Sequence, residues 1–242
     1  VRTVVRCRVA LKEHAKRVKQ QINGLVLGQG LRYPRSKWTL AHRSWLCQLQ
    51  LPNEHVKECL QEYIALLDYV ETRIVRLDRE IEQIAESEVY APGVHKLRAL
   101  KGIGTLGAML LITEITDFRR FASPGALMAY LGLIPSENSS GNKRVDGSIT
   151  KAGNAKCRTQ LIEAAQHYKR TPKVTAKMKS DLSQVDASTA GTAVKCLQRL
   201  HKRYWALYLK GKAHPVAITA IARELTGFIW ALMQPEPVTA VA

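Results

Sequence analysis

Two stretches of this 242-residue chain hold residue types that could work on a phosphodiester. The first is Lys101-Gly102-Ile103-Gly104, set between apolar runs carrying Leu97 and Leu100 on one side and Leu106 and Leu110 on the other. Glycines in such a turn let backbone N–H groups approach a phosphate, and the start of the next helix adds partial positive charge there. Contacts of this kind hold the sugar-phosphate backbone and read no sequence. A plain helix turn capped by glycines uses the same residues. The apolar spacing on both sides, with Ile103 as a plug into the core, favours a helix-hairpin-helix at about 95–115. Lys101, Gly102, Ile103 and Gly104 would be its DNA contacts.

The second stretch surrounds Ser139-Ser140-Gly141 and is rich in cations: Lys143, Arg144, Lys151, Lys156 and Arg158. Gly141 and Gly147 permit close approach. A hydroxyl is a weak nucleophile until a base or metal activates it and the phosphate charge is neutralised. No histidine lies within twenty residues of Ser140, and the local acids are Glu137 and Asp146. A base or metal must therefore come from elsewhere. From the residues alone, a flexible Ser/Asn/Gly surface turn accounts for the stretch better than a reactive loop does.

The charge around these stretches is far from uniform. The chain holds 37 Lys+Arg against 20 Asp+Glu, a net +17, which favours a polyanionic partner. Residues 1–53 carry 11 basic residues and one acid, Glu13; residues 54–88 carry four basic residues and ten acids. Residues 89–242 carry 22 basic residues and nine acids. Aromatics are scarce, at 6%, which argues weakly against a base-stacking surface. Five widely spaced cysteines without a CxxC pair, and scattered histidines, suggest neither a disulfide framework nor a zinc site. No apolar run reaches the ~18 residues of a membrane span. The best candidate, Val216 to Met233, is interrupted by Arg223 and Glu224.

The acidic segment has a periodicity of its own. Val56, Leu60, Tyr63, Leu67, Val70, Ile74, Leu77, Ile81 and Ile84 alternate at spacings of four and three, a heptad with Leu60, Leu67, Ile74 and Ile81 at position a. Pro52-Asn53 supplies a helix start and Ala91-Pro92-Gly93 a stop. Tyr63, at a d position, fits poorly. Residues 1–27 read as a second helix, with Val4, Leu11, Ala15, Val18, Ile22 and Leu25 on one side and cations elsewhere. Gly28-Gln29-Gly30 ends it. An antiparallel hairpin of 1–27 and 54–89 would set a basic face against an acidic one; an intermolecular coiled coil is the other use of the seam. No capping residue precedes Val1 and no initiator Met is present, so the chain is expected to begin partway through a helix. Residues 171–215 read as basic helix, with Trp205 and Tyr208 packing and His201 and His214 at surfaces or helix ends.

The order of motifs from the glycine turn onward resembles the C-terminal domain of the IS110/IS116/IS902 transposase family. The matching pieces are Phe118 to Phe121, then Ala129-Tyr130-Leu131-Gly132-Leu133-Ile134-Pro135, then Ser139-Ser140-Gly141. After them come Thr150-Lys151-Ala152-Gly153-Asn154 with Arg158, and a closing helix from Val216 through Arg223 to Ala231. The likeness covers residues 95–233, and residues 1–90 in general style. It implies a DNA-moving enzyme with two active parts brought together in an oligomer. One is an N-terminal RuvC-like domain whose four acids hold divalent metal, with Mg²⁺ expected for the full-length architecture. The other is the present domain, whose serine before glycine is the nucleophile on DNA. By position that serine is Ser140, with Ser139 as the alternative. Lys143, Arg144, Lys151, Asn154 and Arg158 join the hairpin residues as DNA contacts. Some family members also use a structured guide RNA.

These readings predict a mainly α chain: a helical coiled-coil region at 1–90, then a helical transposase domain at 91–242. Before residue 54 the only acid is Glu13, and the later acids are dispersed, so no metal or other cofactor is expected in this chain. It then looks like the C-terminal two-thirds of a transposase, binding DNA in the cytoplasm near the nucleoid, oligomerising through its heptads and inactive alone. Two other functions fit the residues: a non-catalytic helix-hairpin-helix module that oligomerises through the coiled coil, and a protein-interaction coiled coil with basic ends.

Overall fold

The structure is a computed structural model that describes residues 1–137 and 146–234. It is mainly α-helical, as the periodicities predict. The chain divides into two compact units, one covering Thr3–Ile81 and the other running from Glu82 onward.

The first unit is built from α1 (Arg2–Gly28), α2 (Leu40–Gln48) and most of α3 (Glu54–Ala85). Asn53 begins α3 as expected, its side-chain oxygen accepting from the His55 N–H at 2.9 Å. The heptad seam is buried inside this unit. Leu60, Leu67 and Val70 pack with Ala15, Val18, Ile22 and Val26 of α1 and Leu46 of α2, with Tyr63 and Ile74 at the margin. Arg8 bonds Asp78 at 2.6 Å and Lys19 pairs with Glu71 at 2.7 Å. Contacts run forward along α1 and backward along α3, so the two helices are antiparallel. Basic and acidic faces meet, which explains why ten acids crowd one segment. The linking stretch, read from sequence as a connection, contains a short helix. Thr39 caps α2 by accepting from His42 N–H at 3.2 Å.

Ala91-Pro92-Gly93 does not stop a helix; it starts one. The heptad helix ends at Ala85, and α4 spans Ala91–Arg98 with proline in its first turn, where a missing N–H costs nothing. Then follow α5 (Thr105–Ile115), a 3-10 turn (Phe118–Arg120), α6 (Pro124–Tyr130), the strands β1 (Pro135–Glu137) and β2 (Asp146–Ile149), and α7 (Ala155–Ala165). After a 3-10 turn at Gln166–Lys169 come α8 (Ala176–Leu182), α9 (Ala187–Leu209) and α10 (His214–Leu232). The strands form an antiparallel ribbon with Pro135 opposite Ile149.

Helix α5 is buried almost all round, from Gly107 to Leu111 and again from Thr113 to Ile115, which marks it as the central helix of its unit. Helix α10 packs against α6, α7 and α9. It is long and apolar enough to cross a membrane by length and composition. Its face Ala217, Ile218, Ile221, Ala222, Leu225 and Ile229 is nevertheless buried in the unit. Glu224 on its other side bonds Arg199 and Arg203 of α9, both at 3.1 Å. A core helix explains these features. Trp205 and Tyr208, expected to pack, do so against each other at 5.7 Å and against Tyr204, at a partly exposed site. His214 opens α10, as a helix-end residue should.

Candidate nucleic-acid interface

The glycine turn joins α4 to α5 and is held by its own apolar residues. Leu97 and Leu100 are fully buried and Ile103 is 4% exposed, so the turn is plugged into the core as its sequence predicts. Gly102 sits at φ +91°, and a Cβ there would come within 2.6 Å of the Ala164 carbonyl oxygen at the end of α7. Its smallness therefore serves packing of the turn onto α7. Gly104 is different: nothing lies within 4 Å of where its Cβ would be. It is the N-cap of α5 and offers no side-chain cap, leaving first-turn N–H groups for another acceptor.

Gly102 and Gly104 open onto a cleft of about 530 Å³. On the turn side stands Lys101; on the other stand His167, Arg170, Lys173 and Lys177, from the end of α7 through the start of α8. The single acid on the wall is Asp181, which Arg98 holds at 3.0 Å. Positive charge thus converges without a counter-charge. Burial, then the nearby Arg170, lowers the pKa of Lys101. Burial, then Arg170 and Lys101, lowers that of His167, favouring the neutral imidazole. An anion placed in the cleft would relieve both. Lys101 Nζ donates to the Thr171 carbonyl at 3.3 Å, which ties the turn to the basic segment. Lys101, Gly102, Ile103 and Gly104 are therefore brought together, and with them His167 and Arg170. Neither of the last two stands out in the sequence, since their neighbours lie more than sixty residues upstream.

The second set of expected residues is arranged otherwise. Lys151 takes φ +56° in a loop whose N–H bonds the Gly132 carbonyl at 3.2 Å. Gly132 and Gly153 both adopt positive φ, and a Cβ on either would strike backbone across the loop. Asn154 caps α7, its side-chain oxygen accepting from Lys156 N–H at 2.9 Å and Cys157 N–H at 3.2 Å. Its amide nitrogen donates to the buried Glu114 at 2.7 Å. Arg158 donates to the carbonyls of Leu131 at 3.0 Å and Ala152 at 2.8 Å. Arg158 thus locks the 131–135 and 150–154 segments together and Asn154 ties the start of α7 to α5, while Lys151 and Lys156 are exposed. The locked segments lead into the ribbon β1–β2. Ser139, Ser140, Lys143 and Arg144 lie between the strands, outside the described residues.

Other chemistries find less support. Burial pushes the Cys196 thiol up to about 12, too high for a thiolate nucleophile. Among the described residues no three of His, Cys, Asp and Glu are grouped to hold a metal ion. Several described acids have separate partners: Glu114 is held by Arg2 and Asn154, Asp117 by Arg119 and Asp181 by Arg98, while Asp186 caps α9. Held apart in this way, these acids do not fit a Mg²⁺ site of the four-acid kind.

A sequence model described as the Transposase IS116/IS110/IS902 family matches residues 94–179, which takes in the glycine turn, the ribbon, the capped α7 and all of the cleft lining but Asp181. The chain is similar to Putative transposase y4qE of Sinorhizobium fredii (strain NBRC 101917 / NGR234), at 36% identity over 96% of this chain and 56% of that protein. It is also similar to the Transposase for insertion sequence element IS1533 of Leptospira borgpetersenii, at 29% over 88% of this chain and 62% of that protein. A third relative is the Transposase for insertion sequence element IS1111A of Coxiella burnetii (strain RSA 493 / Nine Mile phase I), at 27% over 87% and 57%. The chain spans a little over half the length of these relatives. Residues 94–179 therefore match the domain that the IS116/IS110/IS902 family of transposases shares, and the similarity to individual transposases extends over most of the chain.

Proposed function

We propose that this chain is the DNA-handling part of an insertion-sequence transposase. The observation that carries the reading is the cleft of Lys101, His167, Arg170, Lys173 and Lys177, cationic and facing an uncapped helix start. A duplex phosphate backbone supplies the missing counter-charge, with α4 and α5 acting as a helix-hairpin-helix. Such binding tracks the backbone and leaves the choice of site to other parts, among them a guide RNA.

Ser140, or Ser139 beside it, is the nucleophile in this reading. Its Oγ attacks a backbone phosphorus and displaces one ester oxygen. That oxygen leaves as a hydroxyl carrying the proton the serine gave up, and the other DNA end stays linked to the serine. Lys143 and Arg144 neutralise phosphate charge during attack. A second active part supplies the metal chemistry, so the present chain binds DNA without completing transposition. Assembly into an oligomer brings the parts together, in the cytoplasm where the DNA lies. The seam of α3 is occupied by α1 and α2, so assembly through that helix would use its outer face.

Two measurements test this. Duplex affinity should fall steeply with salt; a slope near zero would refute the cleft. A covalent protein–DNA adduct should form in the presence of the full-length partner and vanish in Ser140→Ala. An adduct that survives both Ser140→Ala and Ser139→Ala would remove the serine from the chemistry.

A further inference from the structure

The first unit holds a cavity that duplex binding does not use. It measures about 360 Å³, within the range of small-ligand sites, and lies between the end of α1, the 31–37 segment and α2. Aromatic groups make up much of its wall. Tyr33 lies 4.7 Å from the His42 ring and 5.1 Å from Trp45, and His42 stacks on Trp45 at 5.8 Å. Arg32 and Lys37 also line it, and they line a second, adjoining cavity together with Arg35. No acid lines either one. The chain's low aromatic average conceals this concentration: Tyr33, Trp38 and Trp45 fall within thirteen residues.

The wall also carries hydrogen-bonding groups. Trp38 N–H donates to His42 Nδ1 at 3.1 Å, so the neutral ring bears its proton on Nε2. Burial, then Lys37 and Arg43, lowers the His42 pKa and keeps that ring neutral. Asn23 adds an amide that can both donate and accept.

Gly24 is the least expected residue here. It lies inside α1, where glycine weakens a helix, and its backbone does not require glycine. Nothing lies within 4 Å of where its Cβ would be, so no packing neighbour requires it either. What glycine does at this position is leave room in the cavity it lines.

The geometry points to a site for one unpaired nucleobase and the phosphate beside it. The base stacks against Tyr33 or Trp45, its edge meets Asn23 and the His42 Nε2–H, and Arg32 and Lys37 take the phosphate. A flat aromatic ligand with an attached anion satisfies ring, amide and cation together. Duplex DNA cannot enter, because its bases are stacked and paired.

The test uses the whole chain and a single-stranded twelve-nucleotide probe carrying one 5-iodouracil, made as DNA in one arm and as RNA in the other. Irradiation should crosslink the probe at Tyr33 or Trp45, and the better arm names the nucleic acid. Gly24→Ala should raise Tm by about 2–4 °C, because alanine favours the helix. It should also cut the crosslink at those residues about tenfold, because its methyl group projects into the space the base would occupy. Unfolding cannot produce that pair of results. Lys37→Gln, an exposed change, should cut the same crosslink a few-fold. The idea is overturned if crosslinks map only outside residues 23–45, or if Gly24→Ala leaves the yield unchanged. Lys101→Gln with Lys173→Gln should weaken duplex binding and spare this crosslink, so either site can fail without the other.

Discussion

On the hairpin of the first unit, Arg8 and Lys19 reach carboxylates of α3, and Arg43 of α2 bonds both Asp68 and Glu71. In the cleft of the second unit, Lys101, Arg170, Lys173 and Lys177 face one another across open space, and the nearest acid is already held by Arg98. The same residue types fasten helices together in one place and line an open cleft in the other. What separates the two uses is whether a carboxylate lies within reach, which depends on the neighbouring element and not on the cation. Within the second unit the contrast recurs on a smaller scale. Arg158 and Asn154 are tied into the loop and to a buried acid, whereas Lys101, which donates to the Thr171 carbonyl, lines the cleft with no carboxylate partner.

The sharpest way to break this contrast is at Asn154. Asn154→Ala removes an N-cap and one donor to the buried Glu114, and should cost about 2–3 kcal/mol of stability in urea unfolding. Duplex affinity of the folded protein should change less than twofold. A weakened affinity with unchanged stability would make Asn154 a DNA contact instead. Next in size, Lys101→Gln combined with Lys173→Gln should weaken duplex binding about tenfold. The salt slope should fall by about 1.8, and Tm should stay within a degree or so. A large Tm loss with an unchanged slope would mean that these lysines hold the fold.

Arg8→Gln should do the converse. It should cost about 1 kcal/mol or less of stability, since the pair is partly exposed, and leave the DNA salt slope alone. The smallest effect is that of pH. The lowered pKa of His167 means that an anion in the cleft favours its protonation, so binding takes up a proton. Duplex affinity should therefore rise about threefold as pH falls from about 7.5 to 5.5. His167→Gln should flatten that profile. The sign reverses for folding without DNA: stability is full above the ordinary histidine pKa and declines as pH falls below it.

Much of the fold was legible because it rests on local rules. The 4-3 spacing of Leu60 to Ile81 specified both a helix and its buried side, and Asn53 marked the start. Ile103 and Leu97 marked the turn as a plugged one. Ala91-Pro92-Gly93 misled because proline and glycine end helices, yet proline also suits a first turn, and the two uses share a sequence. The heptads left the partner open, since a seam states what must be buried and not against which chain. Arg158 is expected as a phosphate contact from its charge and Asn154 from the family likeness, and neither expectation foretells the internal bonds they make. Only the fold could bring Glu114, forty residues away, and the Leu131 carbonyl to meet them.

By itself, the sequence determined the helices, the excess of positive charge, and the likeness to a transposase family through its ordered motifs. These depend on spacing, net charge and residue identity, which are properties of the chain laid out in order. The tertiary structure alone decided which cations are spent and which face solvent. It also gathered Tyr33, His42 and Trp45 around the gap beside Gly24. Electrostatics and packing act over a few ångströms through space, and the chain order does not record those distances.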